Sequence, residues 1–166
     1  MSKPVLCIID VQPKFDAAAR IVAQTIALVA KFRRSGFPIF LVEYFGYGRS
    51  HDSLCKAVSG YGPLYRVIKD LNDGSDEVIS VAKINNVSLD RIVICGVNTC
   101  YCVCETATGI IKKIPCVIQP AKAALACGCA KFAPSTNCMA DLIVRISMAD
   151  RARKERELEQ QRVGQQ

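Results

Sequence analysis

The sequence predicts an α/β fold of three layers, an open and mostly parallel sheet covered by helices on both faces. Short runs such as Val5 to Ile9 are apolar at every position, as strands buried on both sides of a parallel sheet are. Between the runs, apolar residues recur at helical spacing. Strand and helix alternating along a chain build such a sheet, because each parallel pair needs a crossover.

Val5 to Ile9 is the first strand, closed by Asp10. From Asp16 to Arg34 the residues Ile21, Val22, Ile26, Val29 and Phe32 fall on one helical face, and Gly36 and Pro38 stop the helix. Pro38 to Tyr44 reads as the second strand, Gly46 to Ser50 as a loop and Leu64 to Leu71 as a helix. Glu77 to Ala82 reads as the third strand, ending at Lys83, and Arg91 to Cys95 as the fourth. A helix from about Cys100 to Lys112, a fifth strand at Cys116 to Gln119 and a long closing helix from about Asn137 complete the order. One domain is expected over 1–150, with 151–166 a charged helix end or a tail that frays.

Composition narrows the function classes. A chain of 166 residues with 51% hydrophobic and 22% charged residues can bury a real core and is not a disordered chain. The first apolar run is too short for a secretory signal, and Gln24 and Thr25 interrupt the stretch from Ile21 to Ala30, which falls short of the ~20 residues that span a bilayer. A cytoplasmic protein without membrane contact is expected. Ten cysteines, several inside apolar runs (Cys7, Cys95, Cys116), read as reduced thiols packing as small hydrophobes. The net charge of +7 invites a nucleic-acid reading. Yet Lys31, Arg33, Arg34, Lys112 and Lys113 close helices, where the dipole favours cations, and the tail from Asp150 sets five basic against four acidic residues. No motif accompanies the charge, so no nucleic-acid partner is expected.

Three polar residues close strands or the turns after them: Asp10, Lys83 and Cys102. In an open parallel sheet the carboxyl ends of the strands share one edge, where sites form. Each residue alone has an ordinary explanation: Asp begins turns, Lys is a surface residue, and Cys packs as a hydrophobe. Together they suit nucleophilic catalysis. Cys102 stands where a helix begins, so free backbone N–H groups and the dipole favour its thiolate. Asp10 can move the proton and Lys83 can hold the carboxylate charged. Backbone N–H groups of Asn98 to Cys102 can meet an oxyanion.

Two motifs carry a family resemblance. The segment VLCIIDVQPKF, with Asp10, Gln12 and Phe15, resembles the opening strand of the isochorismatase-like cysteine hydrolases. The segment ICGVNTCYCVCETA resembles that family's nucleophile motif at Gly96, Val97, Thr99, Cys102, Val103, Thr106 and Ala107. The resemblance implies Asp10 as base, Lys83 as third catalytic residue, Cys102 as nucleophile and Asn98 and Cys102 as backbone oxyanion donors. It also implies a cis peptide between Val97 and Asn98.

The pattern departs from the family in two places. Only eight residues, Ile84 to Arg91, join Lys83 to the fourth strand, a shortened crossover that must pass about three strand spacings of ~4.8 Å with residues reaching ~3.3 Å each. Either the third strand is displaced and Lys83 with it, or the missing helix leaves an apolar face for a second subunit or the closing helix to cover, which gives a homo-oligomer as the expectation. Nicotinamidases of the family bind a metal through an Asp-x-His pair and further histidines. Here Glu43, Tyr44 and Phe45 occupy that region and His51 is the single histidine, so no metal and no cofactor is expected.

The sequence reading is therefore hydrolysis of a small amide or related C–N bond through a thioester, with Phe15 and Tyr44 lining the substrate pocket. Two other readings stand beside it. One is a degenerate, non-catalytic relative that binds a ligand. The other is a metal or redox protein using Cys100, Cys102 and Cys104 with Cys127 and Cys129, although alternate helix positions point apart.

Overall fold

A computed structural model describes residues 2–128 and 138–164. Five strands, β1 (Val5–Ile9), β2 (Ile39–Tyr44), β3 (Leu64–Lys69), β4 (Arg91–Val97) and β5 (Val117–Ala126), form one parallel sheet in the order β3-β2-β1-β4-β5. The helices are α1 (Val22–Arg34), α2 (Asp52–Val58), α3 (Ser75–Ile84), α4 (Cys104–Lys113) and α5 (Cys138–Val163). This is the three-layer α/β architecture expected.

Alternation along the buried strands divides the core in two. Cys7 and Ile9 of β1, with Phe40 and Val42 of β2, face α3, α4 and α5. Leu6 and Ile8, with Ile39 and Leu41, face α1 and α2.

Two elements differ from the expectation. Leu64–Lys69 is the third strand, not a helix, and Glu77 to Ala82 lies within α3, not in a strand. On β3 Val67 and Lys69 are buried while Arg66 and Ile68 are exposed, because an edge strand covered on one face alternates instead of reading as a continuous apolar run. On α3 the buried residues are Ser75, Val78, Ile79 and Ala82, the spacing of one helical face, with Asp76 and Glu77 in the first turn where the dipole favours acids. A short apolar run does not distinguish strand from helix by itself.

The crossover is therefore not shortened. Residues 70–90, including α3, join β3 to β4. Helix α3 covers the face that was expected to lie bare, which removes that motive for an oligomer. The fifth strand runs past Pro120 to Ala126, since β5 is an edge strand and the pairing with β4 shifts register between Ile94 and Gly96. Helix α5 continues through the charged segment to Val163, where Arg153 bridges Asp150 and Glu157.

Candidate active site

Asp10 follows β1 at the carboxyl edge of the sheet, with a positive φ of 55° that turns the chain out of the strand. Gly96 on the neighbouring β4 makes this packing possible. Its φ is +139°, and a Cβ there would stand 2.1 Å from the Ile9 carbonyl oxygen.

The lysine beside Asp10 is Lys69, the last residue of β3. Its Nζ lies 2.9 Å from Asp10 Oδ2, and both side chains are closed to solvent. Lys69 also donates to the Leu71 carbonyl at 3.0 Å and lies 4.3 Å from the centre of the Tyr44 ring. Gly74 leaves room for its stem, since a Cβ there would meet Lys69 Cδ at 2.6 Å. Lys83 sits exposed near the end of α3 and is not the lysine of this pair. Misreading β3 as a helix hid Lys69. The signal that could have found it is the polar residue closing an alternating run.

Cys102 lies in a π-helical turn, Thr99–Val103, that joins β4 to α4, and its thiol interacts with the Asp10 carboxylate and with Lys69. Its Sγ is 3.6 Å from Asn72 Oδ1, a weak thiol hydrogen bond that sequence reasoning missed. Asn72 is held in place by backbone contacts: its carbonyl accepts from Lys69 Nζ at 3.4 Å and from the Thr106 hydroxyl at 3.4 Å. The Thr106 oxygen in turn accepts from Gly74 N at 3.0 Å, tying the loop after β3 to α4.

The charges follow from this enclosure. Burial raises the Asp10 carboxyl above its ordinary range, opposed by the Lys69 ammonium beside it. Burial first, and the Asp10 charge second, push the Cys102 thiol up to about 12, with Lys69 pulling the other way. Cys102 therefore rests as a thiol, not as the thiolate expected from its place at a helix start. Among the described residues neither Asp10 oxygen accepts a hydrogen bond of good geometry, although Lys69 Nζ stands close to Oδ2. A buried carboxylate with open acceptor capacity beside a thiol proton can act as a general base.

A cleft of about 390 Å³ opens onto Cys102, with Phe15, Tyr44, Tyr47, Asn72 and Asn98 in its walls, while Asp10 and Lys69 lie closed off behind it. Phe15 and Tyr47 stack with centres 4.7 Å apart, and Tyr44 meets Tyr47 edge-on at 5.2 Å. Phe15 and Tyr44 both line this cleft. Gln12 holds this wall: its Oε1 accepts from Tyr44 N at 2.8 Å, and its Nε2 donates to the Tyr44 and Gly48 carbonyls at 3.1 and 2.6 Å. A second cleft of about 410 Å³ shares Phe15 and Asn98 and adds Lys14 and Arg20.

Solved structures show what this architecture is similar to. The nicotinamidase SaPncA from Staphylococcus aureus superposes with a TM-score of 0.71 at 14% identity, over 89% of this chain and 95% of that one. The N-carbamoylsarcosine amidase from Thermoplasma acidophilum does so with a TM-score of 0.65 at 20% identity, over 87% and 92%. The MAR1 ribonuclease from Caenorhabditis elegans gives 0.71 at 14% identity, over 89% and 74%. The chain has the isochorismatase-like hydrolase fold. No family model and no curated protein matches it.

On this isochorismatase-like fold the cis peptide implied by the resemblance is not found. All peptide bonds among the described residues are trans, including Val97–Asn98, and Asn98 makes the turn with a left-handed φ of 60°. Asn tolerates that conformation better than most residues, so the turn closes without a cis bond. After the second strand the Glu43 carboxylate accepts from Ser50 N and Oγ and pairs with Arg66 at 3.2 Å. His51 Nδ1 accepts from Ser53 N and caps α2.

Proposed function

We propose that this chain is a cysteine-dependent hydrolase of a small amide or related C–N bond, working through a covalent thioester. The observation that carries the reading is the meeting of Asp10 and Lys69, at and just after two strand ends, with Cys102 in the turn after β4, the one of the three that lines an open cleft. As Cys102 Sγ attacks the carbonyl carbon, its proton passes to Asp10, so no free thiolate need accumulate. The C–N bond breaks and Asp10 returns the proton to the leaving nitrogen. Water then attacks the thioester, Asp10 takes its proton, and Cys102 leaves and is reprotonated. Lys69 keeps Asp10 ionised in its buried setting. Backbone N–H groups of Asn98 and Cys102 serve the oxyanion, and Phe15, Tyr44 and Tyr47 hold a flat, partly apolar acyl group.

The high resting pKa of Cys102 favours one second reading, a relative that has kept the fold and binds a ligand in the same cleft. A panel of small amides that includes nicotinamide and N-carbamoylsarcosine, with RNA alongside, separates the two. Release of ammonia or amine, lost in Cys102→Ala and accompanied by an acyl adduct on Cys102 in the intact-mass spectrum, supports the hydrolase. Saturable binding of a panel member with no turnover and no adduct supports the binding protein.

A further inference from the structure

Three sulfurs that the proposed hydrolysis does not use form a cluster beside the nucleophile turn. Cys100 in the π-turn, Cys127 just after β5 and Cys138 at the first residue of α5 bring their Sγ atoms within 4.8 Å of one another, all half-buried. The Sγ atoms of Cys100 and Cys127 are 3.5 Å apart. Apolar packing accounts for Cys7, Cys95, Cys104 and Cys116, which belong to or pack on the two cores, but not for these three. They come from three separate segments, so tertiary structure alone brings them together.

We propose that in the reduced chain Cys100, Cys127 and Cys138 form a binding site for a thiophilic divalent metal, zinc by preference. Zinc binds thiolate at ~2.3 Å in tetrahedral geometry, which puts ligand sulfurs about 3.8 Å apart, within a side-chain rotation of the observed spread. Cys127 is disulfide-bonded in the structure, so the metal-bound form requires a thiol or phosphine reductant that delivers two electrons, with two protons, to that bond. Zinc then replaces the three thiol protons, which go to solvent, and water completes the coordination. Three thiolates and one divalent ion leave one negative charge. Two cations stand beside it: Arg145 donates to the Cys100 carbonyl at 3.4 Å and Arg20 to the Cys127 carbonyl at 2.9 Å. Cys102 and Cys104, alternating with Cys100 along the chain, stay outside the cluster, so the metal would pin the nucleophile's turn to β5 and α5 without occupying the nucleophile.

The test uses the full chain, reduced with a phosphine, freed of it under anaerobic conditions, and titrated with Co²⁺ and then Zn²⁺. The expected result is one Co²⁺ per chain with a thiolate-to-cobalt charge-transfer band that Zn²⁺ abolishes. Zn²⁺ should also protect Cys100, Cys127 and Cys138 from alkylation while Cys55 labels as before. Cys100→Ser and Cys138→Ser lose the band, and Cys102→Ala keeps it. A wild-type chain with no band and no protection, or a Cys138→Ser variant that binds like wild type, overturns the site. Protection is read on the wild-type chain, so a variant that fails to fold does not decide the matter.

Discussion

Asp10 and Lys69 are both closed to solvent, and in that setting either charge is costly without the other. Lys69→Met should destabilise the fold by about 3 to 5 kcal/mol, the cost of leaving one buried charge unpaired. Adding Asp10→Asn to it should recover most of that loss without restoring activity, as urea unfolding and amide turnover would show. The Cys102 thiol gives a sharper check. Since the Asp10 charge raises its pKa and Lys69 lowers it, metal-free Asp10→Asn should alkylate at Cys102 faster than wild type at pH 8, and Lys69→Ala more slowly. Peptide mass spectrometry over a pH series reads both, and wild-type labelling should keep rising toward about 12. A profile that levels off at the ordinary thiol value would contradict the enclosed, protonated nucleophile. Asn72→Ala removes the partner of the thiol and should lower kcat/KM about fivefold, the worth of ~1 kcal/mol, with no comparable change in stability.

At the scale of elements, β1 and β4 were legible because both faces are covered, β1 throughout and β4 from Ile94 on, and such burial writes a continuous apolar run into the sequence. The strand β3 was not, because its outer face meets solvent and its inner face ends in a lysine whose burial makes sense only opposite Asp10. The exchange of β3 with α3 carried the third site residue with it, from Lys69 to Lys83. At Gly96 the strands β1 and β4 approach so closely that there is no room for a Cβ. Gly96→Ala should cost about 2 to 4 kcal/mol, through strain at positive φ and the clash with the Ile9 carbonyl. It should also reduce activity, because Asp10 follows directly on Ile9; thermal unfolding and turnover measure the two effects separately.

For the whole molecule, three layers leave the carboxyl edge of the sheet open as the cleft, with the aromatic wall of Phe15, Tyr44 and Tyr47 on one side and the turn that carries Cys102 on the other. No helix among the described residues is long and apolar enough to cross a membrane. The expectation of a homo-oligomer no longer rests on a bare sheet face, since α3 covers it. It rests instead on exposed apolar side chains, Ile143, Val144 and Met148 along α5. Light scattering should return a multiple of the 18.1 kDa chain mass, and the mass of a monomer would remove the expectation.

By itself the sequence determined the α/β class, the strands β1, β2 and β4, and the placing of Asp10 and Cys102 after the ends of β1 and β4. Patterns of burial on both faces and turn-forming residues are local, and the chain carries them openly. Only the tertiary structure decided which lysine faces Asp10, that Asn72 reaches the thiol, that the thiol is protonated at rest, and that three distant cysteines meet. Those are properties of enclosure and of contacts between residues far apart in the chain, and burial sets both the charge states and the partners there.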